Sequence, residues 1–342
     1  MSQTAQRDSR PHAPPRPADV AIGPGRVAVV VPSHRVRAHI LKVLAGIPDF
    51  VERIYVVDDC CPEDSGRFVE EQCLDARVVV LHNPTNLGVG GAVMAGYARA
   101  AADGMDIVVK MDGDDQMDSG AMAQLIGPLV RGEADYAKGN RFYDLTQVGR
   151  MPPLRIFGNA VLSFMTKLSS GYWDIFDPTN GYTAIHAKVI ARLPLGKISK
   201  RFFFETDMLF RLNIIRAVVV DVPMDARYGD EVSNLRVSRV VIDFLAKHLR
   251  NVGKRIFYNY FLRDLSLASI ELAIGLLFVF GGTALGLGFW FQSFQTGVMT
   301  GAGSVMLVAL PIIVGIQLLL GFLAYDIASV PRRTLHPLLR DS

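Results

Sequence analysis

Cysteine is scarce in this sequence of 342 residues, and the spacing of the cysteines matches no common site. Cys60, Cys61 and Cys73 are an odd number and show no CxxC pattern. These features exclude a disulfide framework and a cysteine zinc site, and they predict reduced thiols in the cytosol. An apolar segment near the N-terminus is also missing, so we expect no signal peptide.

A strong excess of positive or negative charge is missing as well. The formal net charge is +3, which neither favours nor excludes binding to nucleic acid. Hydrophobic residues make up 50% of the chain, slightly more than in an average globular protein, and the excess lies at the C-terminal end. The composition therefore predicts a soluble domain followed by membrane-associated segments.

Short apolar runs alternate with helical segments after the first 25 residues. Residues 1–25 are rich in Pro, Arg, Ser and Gln without apolar periodicity, and we expect a disordered tail. The runs predict strands at Val27–Val31, Arg53–Asp59, Val78–Leu81, Ile107–Met111, Asp135–Lys138 and Ala217–Val222. Helical spacing resumes at Ala184–Leu193. Strands that alternate with helices at this spacing indicate right-handed crossovers and a mostly parallel, Rossmann-like α/β sheet.

The stretch from Ile107 to Asp118 carries the strongest chemical pattern. A β-branched run stops at Asp112, which places four carboxylates at the C-terminal end of a strand and in the following turn: Asp112, Asp114, Asp115 and Asp118. Ligands of open α/β sheets bind at this edge. Such a cluster suits a hard divalent ion, Mg²⁺ or Mn²⁺, because these ions prefer oxygen ligands. An acidic, solvated turn is the alternative, since Asp and Gly are ordinary turn residues.

Two more features at the same edge have both a structural and a functional interpretation. Asp58 and Asp59 follow the second strand, where they can cap a helix or hydrogen-bond to a base or ribose. The loop Gly88–Gly91 can form a tight strand-to-helix turn or bring backbone N–H groups close to a diphosphate. It is not a P-loop, because no Gly-Lys-Ser/Thr follows.

The C-terminal third predicts membrane segments. Basic residues interleave with apolar ones from Arg236 to Arg263, a pattern typical of helices on an anionic membrane surface, although a solvated helix packed on the domain remains the alternative. Leu265–Phe291 and Val298–Tyr325 are each longer than the roughly 20 helical residues that cross a bilayer. Two buried helices of a soluble protein are the alternative.

Charges flanking these segments predict their orientation. The connector Gln292–Gly297 has no Lys or Arg, whereas Lys254, Arg255 and Arg263 precede the first span and Arg332 and Arg333 follow the second. The positive-inside rule then places both termini and the soluble domain in the cytosol, on a multi-pass protein of the inner (cytoplasmic) membrane. The pattern Gly282-x-x-x-Gly286 allows close approach of helices, but on its own it is not enough to predict a dimer.

Six short motifs, taken in order, resemble the family-2 glycosyltransferases of GT-A fold. They are Val-Val-Val-Pro32, Val-Val-Asp58-Asp59, Asn86-x-Gly-x-Gly-x-Ala92, Asp112-x-Asp114-x-Gln116, Gly139-Asn-Arg141 and Glu205-Thr-Asp207. With two C-terminal spans, the chain is most similar to the polyprenyl-phosphate glycosyltransferases, which include dolichyl-phosphate mannose synthases and bactoprenyl glucosyltransferases. The resemblance covers about Val27 to Tyr325.

The resemblance implies a role for individual residues. Asp112, Asp114 and Gln116 would hold Mg²⁺ or Mn²⁺, and Asp114, Glu205 and Asp207 would lie at the reacting sugar. The remaining donor-binding positions are Pro32, Asp58, Asp59, Asn86, Gly88, Gly90 and Asp112. Arg141, Arg155 and Arg227 would meet the acceptor phosphate. The chain departs from the family at Ser33-His34-Arg35-Val36, where an aromatic, an Asn and a Glu are usual, and this departure leaves the nucleotide open.

These features predict a hexosyltransferase that moves a sugar from a nucleotide sugar of the GDP-mannose or UDP-glucose type to a polyprenyl (undecaprenyl or dolichyl) phosphate, with inversion. The expected partners are both substrates and the membrane, not nucleic acid, with homo-oligomers left open. The alternatives are a processive polysaccharide synthase, whose usual Gln-x-x-Arg-Trp motif is absent, and a non-enzymatic membrane scaffold or transporter subunit. The expected divisions are a tail (1–25), a GT-A domain (26–235), amphipathic helices (236–264), two spans (265–330) and a cytosolic tail (331–342).

Overall fold

The computed structural model describes residues 25–143, 153–178, 180–224 and 237–339. Within these residues, seven strands form one sheet in the order β3-β2-β1-β4-β6-β5-β7. The strands are β1 (Val27–Ser33), β2 (Val51–Asp58), β3 (Val78–His82), β4 (Ile107–Lys110), β5 (Tyr136–Asn140), β6 (Thr183–His186) and β7 (Val219–Pro223). The mostly parallel α/β sheet that the sequence predicts is confirmed.

Helices cover both faces of the sheet and then continue beyond it. Those of the sheet domain are α1 (Ile40–Ala45), α2 (Ser65–Gln72), α3 (Val89–Ala102), α4 (Met122–Val130), α5 (Pro153–Ser170), α6 (Ala187–Ile190) and α7 (Phe204–Ile214). The C-terminal part contains α8 (Val237–Ile256), a π-helical segment (Phe257–Arg263), α9 (Leu267–Thr296) and α10 (Ala302–Ala328). Single 3₁₀ turns occur at Ser119–Ala121, Leu195–Lys197 and His336–Leu338.

One sequence-based expectation about the sheet is wrong. Residues from Ala184 were expected to be helical, but Thr183–His186 forms β6, which runs antiparallel between β4 and β5. Ala184 and Ile185 are both fully buried, and they belong to apolar clusters on opposite faces of the sheet. Burial on both faces is typical of a central strand, and a short run of this kind cannot be told from a helix by periodicity.

The apolar core consists of two layers, one on each face of the sheet. Val30, Val108 and Ile185 face the layer beneath α3 and α7. Val29 and Val109, the neighbours of two of these residues, face the layer beneath α1 and α4. This alternation follows from the period of two along a strand, and it leaves the carboxyl ends of β1 and β4 as a supported edge for a site.

Two long apolar helices form a hairpin at the C-terminal end. Helices α9 and α10 are each long and apolar enough to cross a membrane, and most of their surface is exposed. They lie a few residues C-terminal to the starts expected from sequence. Gly282 and Gly286 face α10, where a Cβ atom would come within 2.8 Å of Ile312 and 2.9 Å of Val308 respectively. The GxxxG pattern therefore serves packing inside the hairpin.

Candidate active site

A cleft of about 510 Å³ opens at the carboxyl ends of β1 and β4. It brings together seven of the residues that the sequence predicts: Pro32, Asp59, Asn86, Gly88, Asp112, Asp114 and Glu205. Ser33 and His34 complete the wall at the end of β1, and His34 Nδ1 lies 3.3 Å from Asn86 Nδ2. The hydroxyl of Ser33 is buried and has no hydrogen-bond partner. The cleft therefore lies at the edge of the sheet where the sequence predicts a donor site.

Asp59 shapes the glycine loop of this cleft. Its carboxylate accepts hydrogen bonds from Leu87 N (2.8 Å), Gly88 N (2.6 Å) and the Asn83 side chain (2.9 Å). Gly88 has a φ of +81°, which favours glycine. The Gly88 N–H, which was expected to face a diphosphate, is thus used inside the protein. Gly90 packs on α7, since a Cβ atom there would lie 2.5 Å from Phe204.

The structure does not bring Asp58 into the cleft. Its carboxylate accepts hydrogen bonds from Cys61 N at 2.7 Å and Gly66 N at 2.5 Å, at the start of α2. A Cβ atom at Gly66 would come within 2.7 Å of this carboxylate, so the helix approaches it closely. Asp58 therefore holds α2 against the end of β2, which is the structural alternative recognised from the sequence.

Asp112 and Asp114 line the wall between the cleft and a second cavity of about 200 Å³. Gln116 and Asp118 line only the second cavity. Asp114 also accepts a hydrogen bond from Gln116 N at 3.1 Å, which fixes the turn. Asp115 points elsewhere and forms an ion pair with Lys42. The four acids of the motif thus occupy three different places. Asp112 and Asp114 lie at the shared wall, Asp118 lies in the second cavity, and Asp115 lies outside both cavities.

The side chains at the shared wall fit a divalent cation. Two carboxylates and the Gln116 amide provide oxygen atoms, which Mg²⁺ and Mn²⁺ prefer. Among the residues that the structure describes, no three His, Cys, Asp or Glu side chains are gathered as a metal site. The set therefore depends on the amide as its third protein ligand.

Lys110 is a site residue that the sequence analysis missed. Its side chain is 2% exposed, and its Nζ forms an ion pair with Asp112 Oδ1 at 2.7 Å. A Cβ atom at Gly181 would overlap this Nζ, so the lysine fits only because residue 181 has no side chain. One feature of the sequence could have indicated the role: a charged residue inside the apolar run Ile107–Met111, two positions before Asp112.

The acidic pair near α7 is divided between two environments. Glu205 lines the cleft, and burial raises the pKa of its carboxyl group to about 7, although nearby Lys110 opposes this shift. Asp207 faces the other side of α7, where it accepts hydrogen bonds from Ser199 N (2.9 Å) and the Asn251 side chain (3.1 Å). Asp207 is 6% exposed and does not reach the cleft. Of the two acids expected at the reacting sugar, only Glu205 lines the cleft.

Arg141 lines the second cavity and is held by a buried acid. Its Nε and Nη2 atoms donate to the two oxygens of Asp177 at 2.8 and 3.1 Å, and Asp177 is fully buried. Burial alone would raise the pKa of Asp177, but Lys138 and Arg141 outweigh it and lower the pKa. The side chain of Arg155 and the whole of Arg227 lie outside the described residues, so their expected places are not observed.

Comparison with known proteins shows which enzymes this chain is similar to. Residues 28–193 match the family model for glycosyl transferase family 2. An undecaprenyl-phosphate mannosyltransferase of Micrococcus luteus is 29% identical over 58% of this chain and 82% of its own length. A UDP-N-acetylglucosamine–dolichyl-phosphate N-acetylglucosaminyltransferase of Methanococcus voltae is 25% identical over 64% of this chain and 92% of its own.

A solved structure supports the fold. Glucosyl-3-phosphoglycerate synthase of Mycobacterium tuberculosis, in complex with phosphoglyceric acid, superposes with a TM-score of 0.52 and 20% identity, over 67% of this chain and 81% of the other. The sheet therefore has a GT-A-like fold. This chain is a glycosyltransferase that carries a family 2 catalytic domain.

Proposed function

We propose that this enzyme transfers a sugar from a nucleoside diphosphate sugar to a polyprenyl phosphate, with inversion at the anomeric carbon. The observation that carries the proposal is the shared wall formed by Asp112 and Asp114. On one side is a cleft within the usual size range of small-ligand sites. On the other is a smaller cavity that presents Arg141. Curated relatives that act on undecaprenyl or dolichyl phosphate support a lipid phosphate as acceptor.

Side chains of the wall prepare the donor site. A divalent cation, Mg²⁺ or Mn²⁺, held by Asp112, Asp114 and Gln116 would neutralise charge on the departing nucleoside diphosphate. Lys110 holds Asp112 Oδ1, so this carboxylate is oriented before the donor binds. Glu205 lies in the same cleft as Lys110, Asp112 and Asp114, where it can hydrogen-bond to the sugar. The sugar and nucleotide are of the GDP-mannose or UDP-glucose type.

The acceptor needs positioning more than deprotonation. A phosphate monoester has its second pKa near ~6 and is largely anionic at neutral pH. Arg141 can direct guanidinium N–H groups to this anion while Asp177 fixes its orientation. Without such a cation, Asp112 and Asp114 would repel the incoming phosphate. Arg155 and Arg227 remain predicted members of the same site.

Helix α8 supports a place at the membrane surface. Its face toward the catalytic domain is polar, with buried His248, Asn251 and Arg255. Its outward face exposes Leu245 and Leu249. A soluble helix has the opposite arrangement, with apolar residues inside. An apolar outer face next to two apolar spans fits a helix that lies in the interface of a bilayer.

The segment after α10 supports a hairpin with both ends on the catalytic side. Asp135, fully buried beside β5, accepts hydrogen bonds from Leu335 N at 2.8 Å and His336 N at 2.8 Å. His336 also stacks on His186 at 4.3 Å between ring centroids. The chain therefore returns to the catalytic domain after its second long helix. We propose that both termini and the catalytic domain are cytosolic.

Tags test this topology. The connector expected at Gln292–Gly297 is helical up to Thr296, so the exposed tag belongs between Gly297 and Gly301. In intact cells, tags at Met1 and Ser342 should be protected from external protease, and the tag in this connector should be cleaved. Cleavage of only one terminal tag would contradict the hairpin.

The proposed reaction has a direct assay. Membranes containing the enzyme are incubated with undecaprenyl phosphate and each of several labelled nucleotide sugars, and the organic phase is counted. We expect one donor to label the lipid. Label in a long water-soluble polymer, with none in the lipid, would instead indicate a processive synthase.

A further inference from the structure

The turn Gly171–Asp177, between α5 and β6, connects the membrane hairpin to the second cavity. Near its start, Trp173 Nε1 donates a hydrogen bond to Asp326 Oδ2 of α10 at 2.9 Å. At its end, Asp177 holds the guanidinium of Arg141. We refer to these seven residues as the connecting turn. Trp173 and Asp177 have no part in the mechanism above except that Asp177 orients Arg141.

Asp326 is held firmly at the base of the hairpin. It is 2% exposed, and its oxygens accept hydrogen bonds from Arg255 Nη1 (2.5 Å), Arg255 Nη2 (3.0 Å) and Tyr260 Oη (2.6 Å) in addition to Trp173. A buried carboxylate that left these partners would be unpaired and costly. The end of α10 is therefore a fixed point for the turn.

Arg255 ties the start of the turn to the same point. Its Nε donates to the carbonyl of Leu168, at the end of α5, at 3.1 Å. Gly171 has a φ of +80°, and a Cβ atom there would lie 2.9 Å from Arg255 Nη1. Glycine at this position thus allows both the left-handed backbone and the approach of the arginine.

Hydrogen bonds fix the rest of the turn. Lys167 Nζ donates to the carbonyl of Trp173 at 2.8 Å, and Ser163 Oγ donates to that of Phe176 at 2.9 Å. The Phe176 N–H donates to Asp221 Oδ2 at 2.7 Å. Only three residues then separate two anchored side chains, Trp173 on the hairpin and Asp177 on Arg141. Because such a short, hydrogen-bonded segment has little freedom to bend, the position of Trp173 on the hairpin determines the position of Asp177.

We propose that Trp173 is a positioning residue: by attaching the connecting turn to the membrane hairpin, it sets the depth of the Arg141 guanidinium relative to the bilayer. The inference rests on the proposed function, in which Arg141 binds the phosphate of a membrane lipid. A polyprenyl phosphate in a bilayer presents its phosphate at a fixed depth. The connecting turn would hold the guanidinium at the matching depth, and an acceptor free in water would not need this match.

The test compares Trp173→Phe with Trp290→Phe, a matched control in which an exposed tryptophan of α9 is changed. Phenylalanine keeps an aromatic ring and removes the N–H that reaches Asp326. For undecaprenyl phosphate in vesicles of phosphatidylethanolamine and phosphatidylglycerol, Trp173→Phe should raise the acceptor KM about tenfold, as expected for a lost hydrogen bond to a charged group. Its kcat and donor KM should stay within about twofold of wild type.

Two further measurements separate positioning from a general loss of structure. With a short, water-soluble prenyl phosphate, Trp173→Phe should behave like wild type. Tyr260→Phe removes another hydrogen bond from Asp326 but leaves the turn attached, so it should keep the normal acceptor KM. In the Arg141→Lys background, Trp173→Phe should add little, because both changes act on the same contact.

The inference is overturned if Trp173→Phe equals Trp290→Phe with the membrane acceptor, or if it impairs the short acceptor as much as the long one. These outcomes require a wild-type enzyme that transfers sugar to undecaprenyl phosphate. Failure of the wild type itself to do so would refute the proposed function instead.

Discussion

Lys110 shows how a single buried cation determines the geometry of the acidic motif. A lysine with 2% exposure is costly unless it is paired, and its partner is Asp112 at 2.7 Å. The pair fixes one oxygen of the carboxylate, Oδ1. Asp112 is thus oriented by β4 itself and not only by the turn that follows.

Gly181 gives a precise way to disturb this pair without changing either charge. Gly181→Ala would place a methyl group on the Lys110 Nζ position and displace the ammonium from Asp112. We expect transfer activity to fall by roughly tenfold or more, because displacements of an ångström at a reacting centre are costly. Gly196→Ala is the control, since nothing lies within 4 Å of its Cβ position. Equal activity of the two variants in the labelled-lipid assay would argue against the role of Lys110.

The Glu205 carboxyl group predicts a pH dependence of stability. Burial raises its pKa from the ordinary 4.5 to about 7, so between these values the folded chain keeps a proton that the unfolded chain releases. Ionisation of Glu205 therefore destabilises the folded state as the pH rises through this window, by about 3 kcal/mol at most. Glu205→Gln cannot ionise.

We therefore expect Glu205→Gln to gain stability relative to wild type between pH 5 and pH 8. Thermal unfolding in detergent measures this difference, and Glu63→Gln, a change of an exposed glutamate, is the control. A constant difference between Glu205→Gln and wild type at both pH values would show that the carboxyl group has an ordinary pKa.

At the scale of secondary structure, the strands were more predictable than the contacts between them. The starts and ends of β1 to β4 could be read to within about two residues, since β-branched runs ending in Pro or Asp are typical of parallel strands. Strand β6 could not, because its first three residues are buried, on both faces of the sheet, and the run resembles part of a helix. Its antiparallel insertion brings Gly181 to Lys110, a contact that no local pattern encodes.

For the candidate site, the sequence indicates which residue types gather at the sheet edge. It does not indicate which of their side chains face the cleft and which face other parts of the protein. Asp58 and Asp59 are neighbours on one strand end, and only the structure distinguishes the one that holds α2 from the one that holds the glycine loop. Glu205 and Asp207 are two residues apart on α7 and face different surroundings for the same reason. Asp177 belongs to none of the motifs recognised in the sequence, yet it anchors Arg141.

Arg255 joins α8 to α10 and predicts a large effect on stability. Arg255→Met would leave Asp326 buried without its cation, which typically costs about 3–5 kcal/mol. The double change Arg255→Met with Asp326→Leu should recover part of this loss. Lys247→Met breaks an exposed pair with Asp243 on the same helix and should change the midpoint of thermal unfolding little. Equal midpoints for the two single variants would contradict a structural role of the buried pair.

For the whole molecule, three features relate the catalytic domain to the C-terminal helices. Helix α8 turns an apolar face outward, Asp326 fixes α10 to the connecting turn, and Asp135 holds the segment after the hairpin. The two long apolar helices were evident from length and hydropathy, whereas the attachment of the C-terminal part by single buried acids was not. A polar residue near the end of an apolar helix has no periodic pattern that would identify its partner.

The most direct test of the account is whether Asp114 supports metal-dependent transfer. Asp114→Asn and Asp115→Asn are compared with wild type for labelling of undecaprenyl phosphate, with EDTA and after return of Mg²⁺ or Mn²⁺. Asparagine tolerates the φ of +63° at residue 115, and Asp115 lies outside both cavities. We expect wild type and Asp115→Asn to be active, inhibited by EDTA and restored by the ion, and folded Asp114→Asn to be inactive. Full activity of wild type in EDTA, or of Asp114→Asn, would contradict a catalytic metal site at the wall between the two cavities.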